Sequence, residues 1–293
     1  MQIGVVFPQT EIGSAHVSDL RRYATTVEGL GYRHLLVYDH VLGADPQVHA
    51  PWTGPYDIDT TFREPFVFLG HLAAFTTLEL VTGVIILPQR QTALVAKQAA
   101  EVALLAEGRL RLGVGLGWNA VEYEALGQRF DQRGRRLSEQ IPLLRRLLSE
   151  RIVTHDGEFD RITGAGIAPL PRTPVPIWIG GRSPQAYRRA GRLADGWFPL
   201  LVPGPELDEA RAIIADAAVE AGRDPASIGM DGRVGWSADG GIDRLLDHAG
   251  RWKELGATHL SVSTMNAGLG SLDRHLEVLA EVAGALGLDR TDR

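Results

Sequence analysis

Short β-branched runs alternate along this chain with longer stretches whose apolar residues recur at helical spacing. That alternation predicts repeated βαβ units and a parallel sheet. QIGVVF reads as a first strand. Residues 16–30 follow as a helix with Leu20, Tyr23, Ala24, Val27 and Leu30 on one face, stopped by Gly31. HLLVY is a second strand, and a loop rich in Pro, Asp and Thr spans 41–63. A helix over 64–75 precedes a third strand, LELVTGVII. A helix over 92–107, lined with alanines, leads to the fourth strand, RLRLGVG.

Residues 119–126 and 135–149 read as helices joined by a polar turn. Residues 157–174, rich in Gly and Pro, form a loop or small hairpin inserted before the fifth strand, VPIWIG. The remaining pairs are a helix over 184–193, a short strand at GWFPL, a helix over 206–221, a strand within 228–236, a helix over 242–255, the strand HLSVS and a helix over 272–286. Eight strand–helix pairs with no composition shift predict an α/β fold, a (β/α)₈ TIM barrel forming one domain over 1–293. An open doubly wound sheet is the alternative, but no edge strand is recognisable.

Composition narrows the chemistry. The chain has 293 residues, 44% of them hydrophobic, enough for a large core. It has no cysteine, which removes disulfides, thiolate metal sites and a cysteine nucleophile. Net charge is −6 with no basic block, which argues against nucleic acid. MQIGVVFPQ lacks a signal peptide's basic start, and the apolar runs are strand-sized, so no membrane span and a cytoplasmic location are expected. Only Lys97 and Lys253 of the 30 basic residues are lysine, a bias that resembles GC-rich coding.

In a barrel of this kind the site lies at the carboxyl ends of the strands. That position selects Asp39 and His40 after the second strand, where a histidine can move a proton near neutral pH and a carboxylate can orient it. GVGLGWN and IGGRSP are glycine-rich turns before helices, and a helix amino terminus favours a phosphate. Arg182 adds charge there and Ser183 a hydroxyl. Gly83 inside the third strand suggests a bulge or a close backbone approach to a ligand. GVGLG lacks the later acidic residue of a dinucleotide fingerprint, and no Gly-x-Ser-x-Gly elbow occurs. His155, Asp156 and Glu158 lack metal spacing, so no metal is expected. Glu122 and Glu124 read as an exposed helix face. Trp52 and Tyr56 read as part of a loop covering the substrate.

The stretches IGVVFPQ, EGLGYRHLLVYDH, LVTGVIILPQRQTALVAKQAAEVALLAEGRLRLGVGLGWNAVEYEALG, PVPIWIGG and GRLADGWFP, in this order, resemble the luciferase-like superfamily, within it the F420-dependent oxidoreductases. The resemblance covers about residues 1–200. It implies hydride transfer between F420 and a small organic substrate, with His40 and Asp39 as the catalytic pair. It also implies a cis peptide at Gly83–Val84 behind the deazaflavin ring. The implied cofactor contacts are Asp39, Gly83, Val84, Ile86, Gly115, Gly117, Asn119, Ile179, Gly180, Gly181, Arg182 and Ser183, with Arg135 adding charge. An FMN-dependent monooxygenase supplied by a partner reductase is the alternative, and a homodimer is expected. Trp118 or Asn119 stands where several sugar-phosphate-oxidising relatives carry an acid, which speaks against a sugar-phosphate substrate. Glu11 is the one acid near the first strand, and it lies far along the turn.

Overall fold

The computed structural model describes residues 1–288. Eight parallel strands form the barrel: β1 (Gln2–Val6), β2 (His34–Val37), β3 (Glu79–Thr82) continued by β4 (Ile85–Ile86), β5 (Leu110–Gly115), β8 (Ile177–Gly181), β9 (Gly196–Pro199), β10 (Gly229–Gly235) and β11 (His259–Ser263). β1 pairs with both β2 and β11, and the order runs through β10, β9 and β8 to β5. Leu80 opposite Leu110 and Ile85 opposite Val114 close the ring. The eightfold count therefore closes, and no open sheet forms. The third strand is broken, because the Gly83–Val84 peptide is cis and interrupts the ladder between β3 and β4.

The helices are α1 (Gln9–Ile12), α2 (Val17–Gly29), α3 (Pro65–Leu72), α4 (Thr92–Leu105), α5 (Ala120–Ala125), α6 (Arg133–Ser149), α7 (Pro184–Leu193), α8 (Pro205–Glu220), α9 (Gly241–Glu254) and α10 (Leu272–Ala285). α1 is an extra turn that strand and helix periodicity do not reveal. Residues 157–174 contain one arm of an antiparallel hairpin, β6 (Val153–Asp156) with β7 (Arg161–Ala165). α2 buries Leu20, Tyr23, Ala24 and Val27, the stripe its spacing requires. On α4, Ala96, Ala99, Ala100 and Ala103 are buried, and small side chains let that helix lie close to the barrel. α3 starts where Glu64 accepts from the Val67 amide and Pro65 takes the first helical position.

Inside the barrel, Val6, Leu36, Val81, Trp178 and Phe198 form a separate apolar cluster. A side chain at Gly196 or Gly229 would strike the Trp178 ring, so those glycines make its room. The floor is polar. Arg111 bonds Asp231 at 2.8 Å and Glu79 at 3.0 Å, and lies 4.5 Å from the Trp178 ring centre. Ser261 donates to the other Asp231 oxygen and bonds His34. Removing one partner from such a buried pair costs about 3–5 kcal/mol. Among the described residues, no helix is long and apolar enough to cross a membrane.

Candidate active site

A cavity of about 540 Å³ opens at the carboxyl ends of the strands. Its rim comes from the segments after β2, β4, β5 and β8, and its far wall from β9, β10 and β11. Asp39, His40, Gly83, Val84, Ile86, Gly115, Gly117, Gly180, Gly181, Arg182 and Ser183 all face it. Two residues expected there do not. Asn119 caps α5, accepting from the Val121 amide while its amide nitrogen donates to Leu42. Ile179 points away from the cavity into the packing between barrel and helices. Strand alternation sends it outward while Gly180 faces the mouth.

His40 sits among Phe62, Tyr56 and Trp118, with ring centres 4.6, 5.3 and 5.4 Å away. Its Nδ1 lies 3.1 Å from Glu122 Oε1. Glu122 is buried, contrary to the exposed face expected for it, whereas Glu124 is exposed. α5 has only six residues, too few for its period to show which side turns inward. Glu122 also accepts from the Val41 and Leu42 amides and from Gln89. Burial pushes its pKa up, but the hydrogen bonds from His40 and Gln89 outweigh that and hold it below the ordinary value. The carboxylate therefore stays charged and fixes Nδ1 as the donor. Among the described residues, Nε2 has no partner. A carboxylate thus reaches the histidine from one turn into α5, although positions 118 and 119 carry none.

Asp39 does not orient His40. Its oxygens accept from Arg90 at 2.8 Å and from the Ile86 amide at 3.0 Å, tying the end of β2 to β4. Burial raises its pKa, offset in part by Arg90. Arg135 also departs from expectation, since it pairs with Glu158 on the surface while Arg133, two residues earlier, lines the cavity. Glu11 lies elsewhere, accepting from the Ala267, Leu269 and Gly270 amides. His155 bonds Glu139, and no metal-binding group of acids and histidines occurs among the described residues. Tyr56 lines the cavity and Trp52 packs at a tilt against Trp118, so the 41–63 loop covers one side of the mouth.

The glycines have a steric reason. A Cβ on Gly115 would sit 2.5 Å from Val84, and one on Gly180 3.0 Å from it. Their absence lets Val84 lie across the mouth as an apolar shelf. Gly117 has φ of 66°, a conformation side chains rarely adopt. Ser183 caps α7 through the Ala186 amide, leaving the Gln185 amide at the positive end of the helix. Sequence reading missed Tyr38, Phe198, Asp231 and Arg233, all on the cavity wall. Asp231 and Arg233 alternate within one strand, a period of two that puts both on the barrel's inner side.

An uncharacterised protein of Mycobacterium tuberculosis is 39% identical over 188 residues, 64% of this chain and 65% of that relative's length. The F420-dependent glucose-6-phosphate dehydrogenase of Nakamurella multipartita is 30% identical over 256 residues, 84% of this chain and 70% of that protein. The monooxygenase RslO1 of Streptomyces bottropensis superposes with a TM-score of 0.75 at 19% identity, covering 98% of both chains, a likeness of fold. The family model for luciferase-like monooxygenases matches residues 1–285. The chain belongs to the luciferase-like monooxygenase family.

Proposed function

We propose that this protein is an F420-dependent oxidoreductase that moves a hydride between the deazaflavin and a small organic substrate. The observation that carries the reading is a histidine held by a buried carboxylate, with its free nitrogen in the same cavity as an apolar shelf and two glycine turns. The residues fit a flat ring with a phosphorylated tail. Val84 offers a face free of polar atoms, and side chains at Gly115 or Gly180 would displace it. The Gln185 amide, Arg182 and Ser183 suit a phosphate at the amino end of α7.

F420, when bound, supplies the carbon that gives or takes the hydride. The chain's own groups do the rest. Val84 and Gly83 would back the ring, and Asp39 holds the backbone just beyond them by accepting from the Ile86 amide. His40 Nε2 takes or gives the proton that accompanies hydride transfer, while Glu122 steadies the imidazolium through Nδ1. Trp118, Phe62 and Tyr56 exclude water around the histidine. F420 is favoured over FMN by the 30%-identical relative, whose name specifies it.

Titration of the purified protein with F420 and with FMN tests the reading. Binding of F420 at least about tenfold tighter than FMN is expected. Preference for FMN would move the assignment to a flavin monooxygenase fed by a reductase, and binding of neither would end both.

A further inference from the structure

The cavity holds a cation that the chemistry above does not use. Arg233 rises from β10 on the wall opposite Val84. Its Nη1 donates to the Tyr38 hydroxyl at 2.5 Å, a bond that spans the mouth from β10 to the end of β2. Among the described residues, Arg233 makes no ion pair. Three other charges of the cavity are paired: Asp39 with Arg90, Asp231 with Arg111, and Arg182 with Glu206. Arg133 spends one nitrogen on the Phe130 carbonyl and lies over that ring.

Asp231, on the same strand and wall, is bonded to Arg111 and Ser261, so Arg233 keeps N–H donors of its fork open to a largely apolar cavity. Tyr38 accepts from Arg233, and its own proton is free to turn toward a ligand. Apolar surface adjoins the pair, from Leu36, Phe198 and Leu200. Tyr56, whose ring touches His40, lies within electrostatic reach of Arg233. His40, Tyr56 and Arg233 line one cavity, so a ligand in it can meet both the histidine and the cation.

We propose that Arg233, with the Tyr38 hydroxyl, is the recognition site for a carboxylate on the substrate, so that the enzyme acts on small organic acids with an apolar body. One guanidinium balances the charge of a monoanion, whereas a phosphate dianion would keep one charge unmatched. The inference rests on the oxidoreductase reading for the word substrate, but the binding site stands on Arg233 alone.

The test is calorimetric titration of the protein with straight-chain and aryl carboxylates, their primary amides and their phosphate monoesters, with and without saturating F420. At least one carboxylate is expected to bind about tenfold tighter than its amide. Arg233→Gln should erase that preference and leave amide binding unchanged, Arg233→Lys should keep most of it, and Tyr38→Phe should lower it by less than Arg233→Gln does. F420 affinity should be the same in all three variants. Equal binding of acid and amide, no binding of any acid, tighter binding of the phosphate ester, or a carboxylate affinity untouched by Arg233→Gln would overturn the proposal. If F420 fails to bind but the Arg233-dependent preference stands, the cofactor reading is wrong and the anion site is right. The reverse pattern removes the anion site alone.

Discussion

At His40 the neighbour that matters is Glu122, which sits 3.1 Å from Nδ1 and is itself fixed by two backbone amides and Gln89. It touches neither cofactor nor substrate in the proposed arrangement, so it acts by positioning. Glu122→Gln keeps the shape and removes the charge that steadies the imidazolium. Turnover should fall by about a hundredfold, as it should in His40→Ala, with F420 affinity unchanged in both. The pH dependence separates this from a structural effect. Hydrogen bonds hold the Glu122 pKa below its ordinary 4.5, so its charge is present above that value and is lost only as pH falls through the lower folded one. Because that charge favours the imidazolium, its removal should move the pH profile of turnover to lower pH in Glu122→Gln. A lower turnover with an unmoved profile would assign the effect to structure alone.

Among the elements, the broken third strand shapes the mouth. Gly83 has no room for a side chain, since a Cβ would lie 2.3 Å from Leu36, and Gly115 and Gly180 clear space for Val84. In Gly115→Ala the new methyl must push Val84 off its shelf. A stability loss of about 1–3 kcal/mol and an F420 affinity at least about tenfold weaker are expected. Gly250→Ala, in open space on α9, is the control and should change neither binding nor activity. Thermal melts with F420 titration measure both, and full affinity in Gly115→Ala would show that Val84 is no platform. Elements were mostly legible because their periodicity is local. One glycine among β-branched residues signalled an irregularity in the third strand, although LELVTGVII read as a single strand and the cis peptide followed only from the family resemblance. The helix α5 was legible but its buried side was not, because Glu122 is turned inward by Gln89 and the 41–42 amides, which no spacing within six residues reveals. The same limit explains Arg133 for Arg135, since two residues at a helix start point to different sides. Arg233 could have been found, because a charge two residues from Asp231 on a buried strand has the inner face as its direction.

For the whole molecule, the count of eight units foretold closure, but not what the ring would bury. Closure brings His34 on β2 against Ser261 on β11 and packs His275 of α10 beside Thr264. Burial lowers the pKa of His34 well below 6.5, helped by the charge of Arg111. Burial likewise takes His259 down to about 3, and lowers His275 despite Glu11 beside it. All three are neutral in the folded protein at neutral pH, whereas the unfolded chain takes up their protons near the ordinary 6.5. The unfolded state then binds more protons below that pH, so stability present above it declines as pH falls, for His259 until about 3. Asp39, Glu79 and Asp231 are shifted upward by burial and work in the opposite sense, so the histidine share has to be isolated by substitution. His275→Gln offers an amide where the ring bonds Thr264 and removes the titration. The wild-type melting temperature should drop more than the variant's between pH 7.5 and 5.5, by a few degrees. Parallel pH curves for the two proteins would show that the His275 proton is not linked to folding.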